Sequence, residues 1–320
     1  MVPSAGRGWI RVLAPASVAN LGPGFDTLGV ALQGLGDTVE VRRSDSGTPG
    51  VVIRAITGEA QGIPQAAAQN CAGRAAEAIL RRLRGEASKT AGLEMRIHKG
   101  LPQASGLGSS AASAIGGAVA ADMLFGSDLG SDALLEAALE GEILASGARH
   151  ADNLAASLLG GFTIVMSHEP LQVVRLEAPS SLRLVVVLPD LEVETRYARS
   201  LLPASIPLQD AVSNWAHVAA LVAAVARGNV ADMGRAIVDR VVEPIRSRLI
   251  PGFHDVRNAA LEAGAHGCSI SGAGPALFAV ASPEGSERVA EAMRAAFRPH
   301  GLNSRSFICP PDNLGARRID

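Results

Sequence analysis

Aromatic residues are scarce in this sequence, at 3% of 320 residues, and lysine occurs only at Lys89 and Lys99. Alanine and glycine take the space that rings would fill. With 48% hydrophobic content the chain still has ample material for a core, so disorder is excluded and closely packed helices and sheets are expected. Three cysteines, Cys71, Cys268 and Cys309, are too few and too scattered for a disulfide framework or a zinc site. Formal charge is nearly balanced at -2 and no basic block stands out, which excludes the electrostatic footprint of a nucleic-acid binder. Long apolar runs are missing too. The longest, Ala111 to Phe125, is broken by Asp122 and too short to span a bilayer, so no membrane role is expected. The opening MVPSAGRGWIRVLAP lacks the apolar stretch of a secretory signal. A soluble cytoplasmic protein is expected.

What is present is a mixture of short strands and amphipathic helices. WIRVLAP from Trp9, DTVEVRR from Asp37, VVIRAI from Val51 and LEMRIHK from Leu93 read as strands. A helix is expected from about Ala66, with Cys71, Ala75, Ala78, Ile79 and Leu83 on one face and Gly85 as its stop. A second begins near Ser131, capped by Ser131 or Asp132. In the second half, GGFTIVM, LRLVVVLP, GCSISGAGPALFAVA and NSRSFIC supply strands, and helices are expected at about 209–227, 230–239 and from Pro283. Strands often follow one another without crossover helices, which predicts an α+β fold. At roughly 150 residues per domain the length suits two. Glycines between a helix and a strand suggest a division at 1–160 and 161–320.

One segment carries chemistry: KGLPQASGLGSSAASA, from Lys99. Gly106 and Gly108 allow the backbone to turn tightly and approach an anion. The first N–H groups of the following helix have no helical partner and carry the positive end of its dipole. Ser109 and Ser110 add hydroxyls for a phosphate or a metal. There is no Gly-Lys-Ser/Thr ending, so this is not a P-loop. A tight turn that serines cap before a core helix fits the same residues. The spacing Gly106-x-Gly108-x-x-Ala111 also matches a dinucleotide fingerprint, but KGLPQAS separates the strand from the glycines and no apolar strand leads into Asp128.

Glu142 stands out on the helix from Ser131. Leu135, Ala138 and Leu139 precede it by seven, four and three residues, which places its carboxylate on the apolar side. A buried carboxylate needs a partner, either a magnesium ion or an interior arginine.

Three blocks, PASVANLGPGFDTLGVAL from Pro15, PQASGLGSSAASA from Pro102 and SISGAGPALFAV from Ser269, together resemble the three motifs of the GHMP kinases. The first block is similar to that of the homoserine kinases, as are RHADNLAASLLGGF, TRYAR and EPIRSRLIPGF. The resemblance implies a two-domain fold with the active site between the domains. It implies phosphoryl transfer from ATP to the hydroxyl of L-homoserine, with Mg2+, on the way to threonine. A homodimer is common in the family.

The resemblance also implies roles. The phosphate loop comprises Pro102, Ser105, Gly106, Leu107, Gly108, Ser109, Ser110 and Ala111. Ser110 and Glu142 match the magnesium ligands. Asn70 would contact adenine, or it is an ordinary polar helix residue. Lys99, just before the loop, either lends charge to phosphate or ends a strand in solvent. Asn20, Asp26, His150, Asn153, Arg199 and Arg246 match the homoserine site. There Asp26 would face the ammonium and the two arginines the carboxylate, as a fork suits a carboxylate. Arg246 is preferred over Arg248 because it follows Glu243-Pro244. Thr195 would orient the reacting groups. Related mevalonate kinases and galactokinases place an aspartate near the reacting hydroxyl. Asn153 stands at that position here and cannot take a proton, so transfer would rest on positioning and charge. Asp152 is expected to hold structure. Ala151 and Ala155 stand where the family often has proline.

Overall fold

The computed structural model describes residues 8–44, 49–83 and 90–319. The chain opens with strands β1 (Ile10–Ala19), β2 (Leu28–Arg43) and β3 (Gly50–Gly58), followed by helix α1 (Cys71–Arg82) and β4 (Gly92–Lys99). Three helices come next: α2 (Ser109–Phe125), α3 (Ser131–Ser146) and α4 (Asp152–Leu159). Then follow β5 (Phe162–His168), β6 (Leu171–Leu176), β7 (Arg183–Pro189), α5 (Thr195–Ser200), α6 (Leu208–Ala226), α7 (Val230–Arg235), α8 (Glu243–Arg246) and α9 (Phe253–Glu262). The end comprises β8 (Gly267–Ile270), β9 (Leu277–Ala281), α10 (Ser286–Phe297), β10 (Ser304–Cys309) and β11 (Arg317–Ile319).

Two sheets, antiparallel apart from the β3–β4 pair, organise these elements in an α+β fold. The first runs β11-β1-β2-β4-β3, with β5 paired to β2 and β6 to β5. Strand β2 is long enough to serve two partners on one edge: Leu28–Val30 pair with β5, and Thr38–Arg43 with β4. β3 and β4 are parallel, joined across α1. The second sheet runs β10-β7-β9-β8 and is antiparallel throughout. The division expected at residues 160 and 161 is not where the sheets divide. β5, β6 and β11 all belong to the first sheet, so the change of sheet falls between Leu176 and Arg183. The glycines at 160 and 161 mark a turn instead, where the carbonyl of Asp312 accepts the N–H of Gly161 at 2.8 Å.

Scarce rings and abundant alanine have a packing counterpart. Helix α2 is buried on almost every side, against β1, β2, α1 and α3. A Cβ on Gly117 would lie 2.2 Å from the carbonyl oxygen of Ala72, and one on Gly141 2.5 Å from that of Cys71. The helices therefore meet backbone to backbone, and nothing larger than hydrogen fits at those crossings. A second apolar cluster lies between the second sheet and α9 and α10, centred on Val185, Phe253, Met293 and Phe297.

Helix ends differ in detail from expectation. A short 3₁₀ turn (Ala67–Gln69) precedes α1, which starts at Cys71 with Asn70 as its cap. The stop expected at Gly85 lies outside the described residues. Gly130 occupies the cap position of α3, and neither Ser131 nor Asp132 caps it. Helix α7 ends at Arg235, short of the expected 239, and Asp239 lies in the turn before α8, where its carboxylate accepts the N–H groups of Val241, Val242 and Glu243. Among the described residues no helix is long and apolar enough to cross a membrane.

Candidate active site

A cleft of about 510 Å³ is lined by residues of both halves of the chain. The glycine loop forms one wall. Ala104, Gly106 and Gly108 have φ of 51°, 79° and 69°, which curl the backbone before α2. The loop is braced from the second half. Ser271 donates to the carbonyl of Gly106 at 2.6 Å, and the N–H of Ala276 donates to that of Ser105 at 3.2 Å. A Cβ on Gly106 would strike the carbonyl oxygen of Ser271 at 2.5 Å, so glycine is required by this contact as well as by φ. Of the expected loop residues, Ser105, Gly106, Gly108, Ser109 and Ser110 line the cleft. Leu107 and Ala111 are 1% exposed and face the core, and Pro102 lends its carbonyl to the hydroxyl of Ser105.

The two loop serines divide. Ser109 turns its hydroxyl to the carbonyl of Leu101 at 3.0 Å. Ser110 donates to Glu142 Oε2 at 2.7 Å, bringing a hydroxyl and a carboxylate together beside the loop. Glu142 is 8% exposed. Burial, aided by the Glu142 charge, pushes the Cys71 thiol up to about 12, so that cysteine stays protonated. Hard oxygen donors of this kind suit Mg2+, which takes one or two carboxylates and keeps several waters.

Lys99 reaches the cleft floor but is 2% exposed. Its ammonium donates to Asp37, to the carbonyl of Ser109 at 2.9 Å and to the hydroxyl of Ser113 at 2.8 Å. An ammonium has three donors, so none remains for a phosphate. Lys99 pins the first turn of α2 from beneath. Asn70 is likewise occupied. Its Oδ1 accepts the N–H groups of Ala72 and Gly73, and its Nδ2 donates to the carbonyl of Pro64 at 2.9 Å. It lines the cleft as the cap of α1.

A charged cluster forms another part of the wall. Arg199 on α5 grips both oxygens of Asp26, at 2.6 and 2.7 Å. Arg246 on α8 is 3% exposed and donates to the carbonyl of Gly272 at 3.0 Å. Burial first, and the Arg199 charge second, lower its pKa to about 10. Both guanidiniums lie over the ring of Phe25, at 5.0 and 5.1 Å from its centroid. The π face offsets part of the repulsion between two like charges. Arg248 is exposed and outside the cleft. Asn20, with φ of 68°, bridges two motifs: its Oδ1 accepts the N–H of Asp26, and its Nδ2 donates to the carbonyl of Gly272 at 2.8 Å. Thr195 begins α5 and lines the cleft. His150 is buried there, and burial with the Arg199 charge lowers its pKa, which favours the neutral ring. Asn153 on α4 joins the same cleft. Beside it, Asp152 is 3% exposed, and burial together with the Asp26 charge raises its carboxyl to about 7.

Sequence reasoning did not single out Phe25 or Gly272. Phe25 lies inside the PASVANLGPGFD block and Gly272 inside SISGAG, so the motifs held the signal without saying which residue carried it.

Comparison with known proteins shows the family. The model for the GHMP kinases N terminal domain matches residues 70–161, and that for the GHMP kinases C terminal matches 221–299. A homoserine kinase of Arabidopsis thaliana is 47% identical over 317 residues, covering 97% of this chain and 85% of that protein. One of Pyrococcus abyssi is 40% identical over 298 residues, covering 93% and 96%. The crystal structure of homoserine kinase from Cytophaga hutchinsonii superposes with a TM-score of 0.91 at 42% identity, covering 100% of both chains. By these matches the chain belongs to the GHMP kinases and, within them, to the homoserine kinase family.

Proposed function

We propose that this protein transfers the terminal phosphoryl group of ATP to the hydroxyl of L-homoserine, giving O-phospho-L-homoserine for threonine biosynthesis. The observation that carries this reading is a single cleft that presents a glycine loop at a helix N-terminus together with the Asp26, Arg199 and Arg246 cluster. The loop N–H groups and the dipole of α2 suit the phosphates. A zwitterionic amino acid suits a wall that offers one carboxylate and two guanidiniums. Ser110 and Glu142 would hold Mg2+, which supplies positive charge against the phosphate oxygens when bound.

Within the site, this chain's own groups position and stabilise. The loop amides face the phosphoryl oxygens, where preorganised donors lower the barrier without reorganising. Asn153 has no basic group, so it orients the acceptor hydroxyl and takes no proton from it. The loose transition state of phosphoryl transfer asks little of a base. Action in the cytoplasm as a homodimer belongs to the same reading, supported by family membership.

The test is a coupled ADP-release assay with ATP and Mg2+ across L-homoserine, mevalonate, galactose, threonine and serine. Turnover with L-homoserine well above the others is the expected result. Turnover with a different acceptor, or with none, would overturn the substrate.

A further inference from the structure

Ser17 lies on β1, is fully buried, and belongs to none of the groups assigned above. Its hydroxyl donates to Asn153 Oδ1 at 2.8 Å, across 136 residues of sequence. Its N–H donates to the carbonyl of Leu107 at 3.1 Å. Between these two bonds sits Gly108. A Cβ there would lie 2.4 Å from Ser17 Oγ and 2.9 Å from Asn153 Oδ1. One serine thus touches the strand, the phosphate loop and the cleft asparagine.

We infer that Ser17 is a positioning residue that sets which end of the Asn153 amide faces the reacting oxygens. The two ends of an amide are chemically opposite: Oδ1 only accepts and Nδ2 only donates. With Oδ1 taken by the Ser17 hydroxyl, Nδ2 is the end left to the cleft, and among the described residues no group accepts from it. The reverse orientation would make Ser17 the acceptor and leave its own buried proton in need of another partner, which is costly. The main-chain N–H of Asn153 is held too, by Asp152 Oδ1 at 2.8 Å. The amide is therefore fixed at both its backbone and its side chain, and it presents two donors. A donor pair suits the oxygens that bear negative charge as the phosphoryl group passes. This inference rests on the phosphoryl-transfer reading given above.

Ser17→Ala, Ser17→Cys, Asn153→Ala and the Ser17→Ala/Asn153→Ala double variant separate the possibilities. Ser17→Ala is expected to lower kcat by about tenfold to a hundredfold, since the amide then samples both orientations, with KM for ATP and L-homoserine changed less than about twofold. Ser17→Cys keeps the volume but donates weakly, so it should fall between. In the Asn153→Ala background, Ser17→Ala should cost less than about twofold more, because its route is already gone. An equal loss in both backgrounds, or a loss confined to KM for ATP, would overturn the inference in favour of a role through the loop. Full kcat in Ser17→Ala or Ser17→Cys would overturn it as well. The side-chain amide signals of Asn153 in a ¹⁵N spectrum, identified by their absence in Asn153→Ala, give a reading without turnover. They should shift in Ser17→Ala, and unchanged signals would refute the hydrogen bond. If the native protein turns over no homoserine, the proposed function fails while these signals still judge Ser17.

Discussion

Removing the ammonium of Lys99 tests whether that residue serves the fold or the nucleotide. Lys99→Met keeps the apolar stem but leaves the Asp37 carboxylate, fully buried, without its counter-charge. The N–H of Gly100 at 3.1 Å and the hydroxyl of Ser113 at 2.7 Å still donate to it, but neither carries charge. Breaking a buried pair from one side costs about 3–5 kcal/mol. At roughly 2–4 °C per kcal/mol for a chain somewhat smaller than this one, the melting temperature should fall by about 10 °C. Asp37→Asn in the same chain removes the stranded charge yet keeps an acceptor for Gly100, so the double variant should recover most of the loss. KM for ATP should rise only modestly, through loosening of the first turn of α2. Thermal melts of native protein, single and double variants, with ATP saturation curves for each, complete the experiment. A single variant that melts within about 2 °C of native while its KM for ATP rises tenfold would refute the reasoning and make Lys99 a phosphate ligand.

Asp152 holds its proton more tightly when folded than the ordinary value of 3.8 allows, up to about 7, so native stability should fall as pH rises between those values. Asp152→Asn removes that loss, and its stability advantage should be near zero at pH 4 and grow to as much as about 4 kcal/mol above pH 7; an advantage equal at both pH values in thermal melts would count against the buried carboxyl. Glu142→Ala should lower kcat by roughly a hundredfold at ordinary Mg2+ and shift the magnesium titration of rate upward, whereas an unchanged titration would remove Glu142 from the metal site. Gly117→Ala puts a methyl against the Ala72 backbone and should destabilise by about 1–3 kcal/mol; a melt indistinguishable from native would mean that α1 and α2 slide apart freely.

Much of this architecture was legible from periodicity. The strands around Val12, Met95 and Val186 alternate or run apolar, and the Cys71 to Leu83 face is helical in its spacing. The glycine loop was legible because its chemistry is local. What escaped depends on distant partners. Nothing in Leu171–Leu176 announces a strand that pairs with β5, or that both extend the first sheet. The adenine contact of Asn70 is implied by the resemblance alone, and a helix start near Ala66 makes it an ordinary polar helix residue. Once the start is moved to Cys71, an asparagine just before a helix is an expected cap. Lys99 and Asp37 are 62 residues apart, and their pairing is a property of the β2–β4 register, not of either neighbourhood. Phe25 and Ser17 act through residues more than 130 positions away, where no spacing rule reaches.

The last strand, β11, pairs with the first, β1, and Asp312 binds the backbone beside β2 and β5 through Ala31 and Gly161. The opening sheet is therefore complete only once residues 317–319 are in place. While the chain grows, β1 has one flank without its eventual neighbour until residues 317–319 have been made. Cutting between residues 160 and 161 would not release two folding units, because the later fragment carries off β5, β6 and β11. Removing residues 317–319 should register as exposure of an edge at β1, about 300 positions earlier in the sequence.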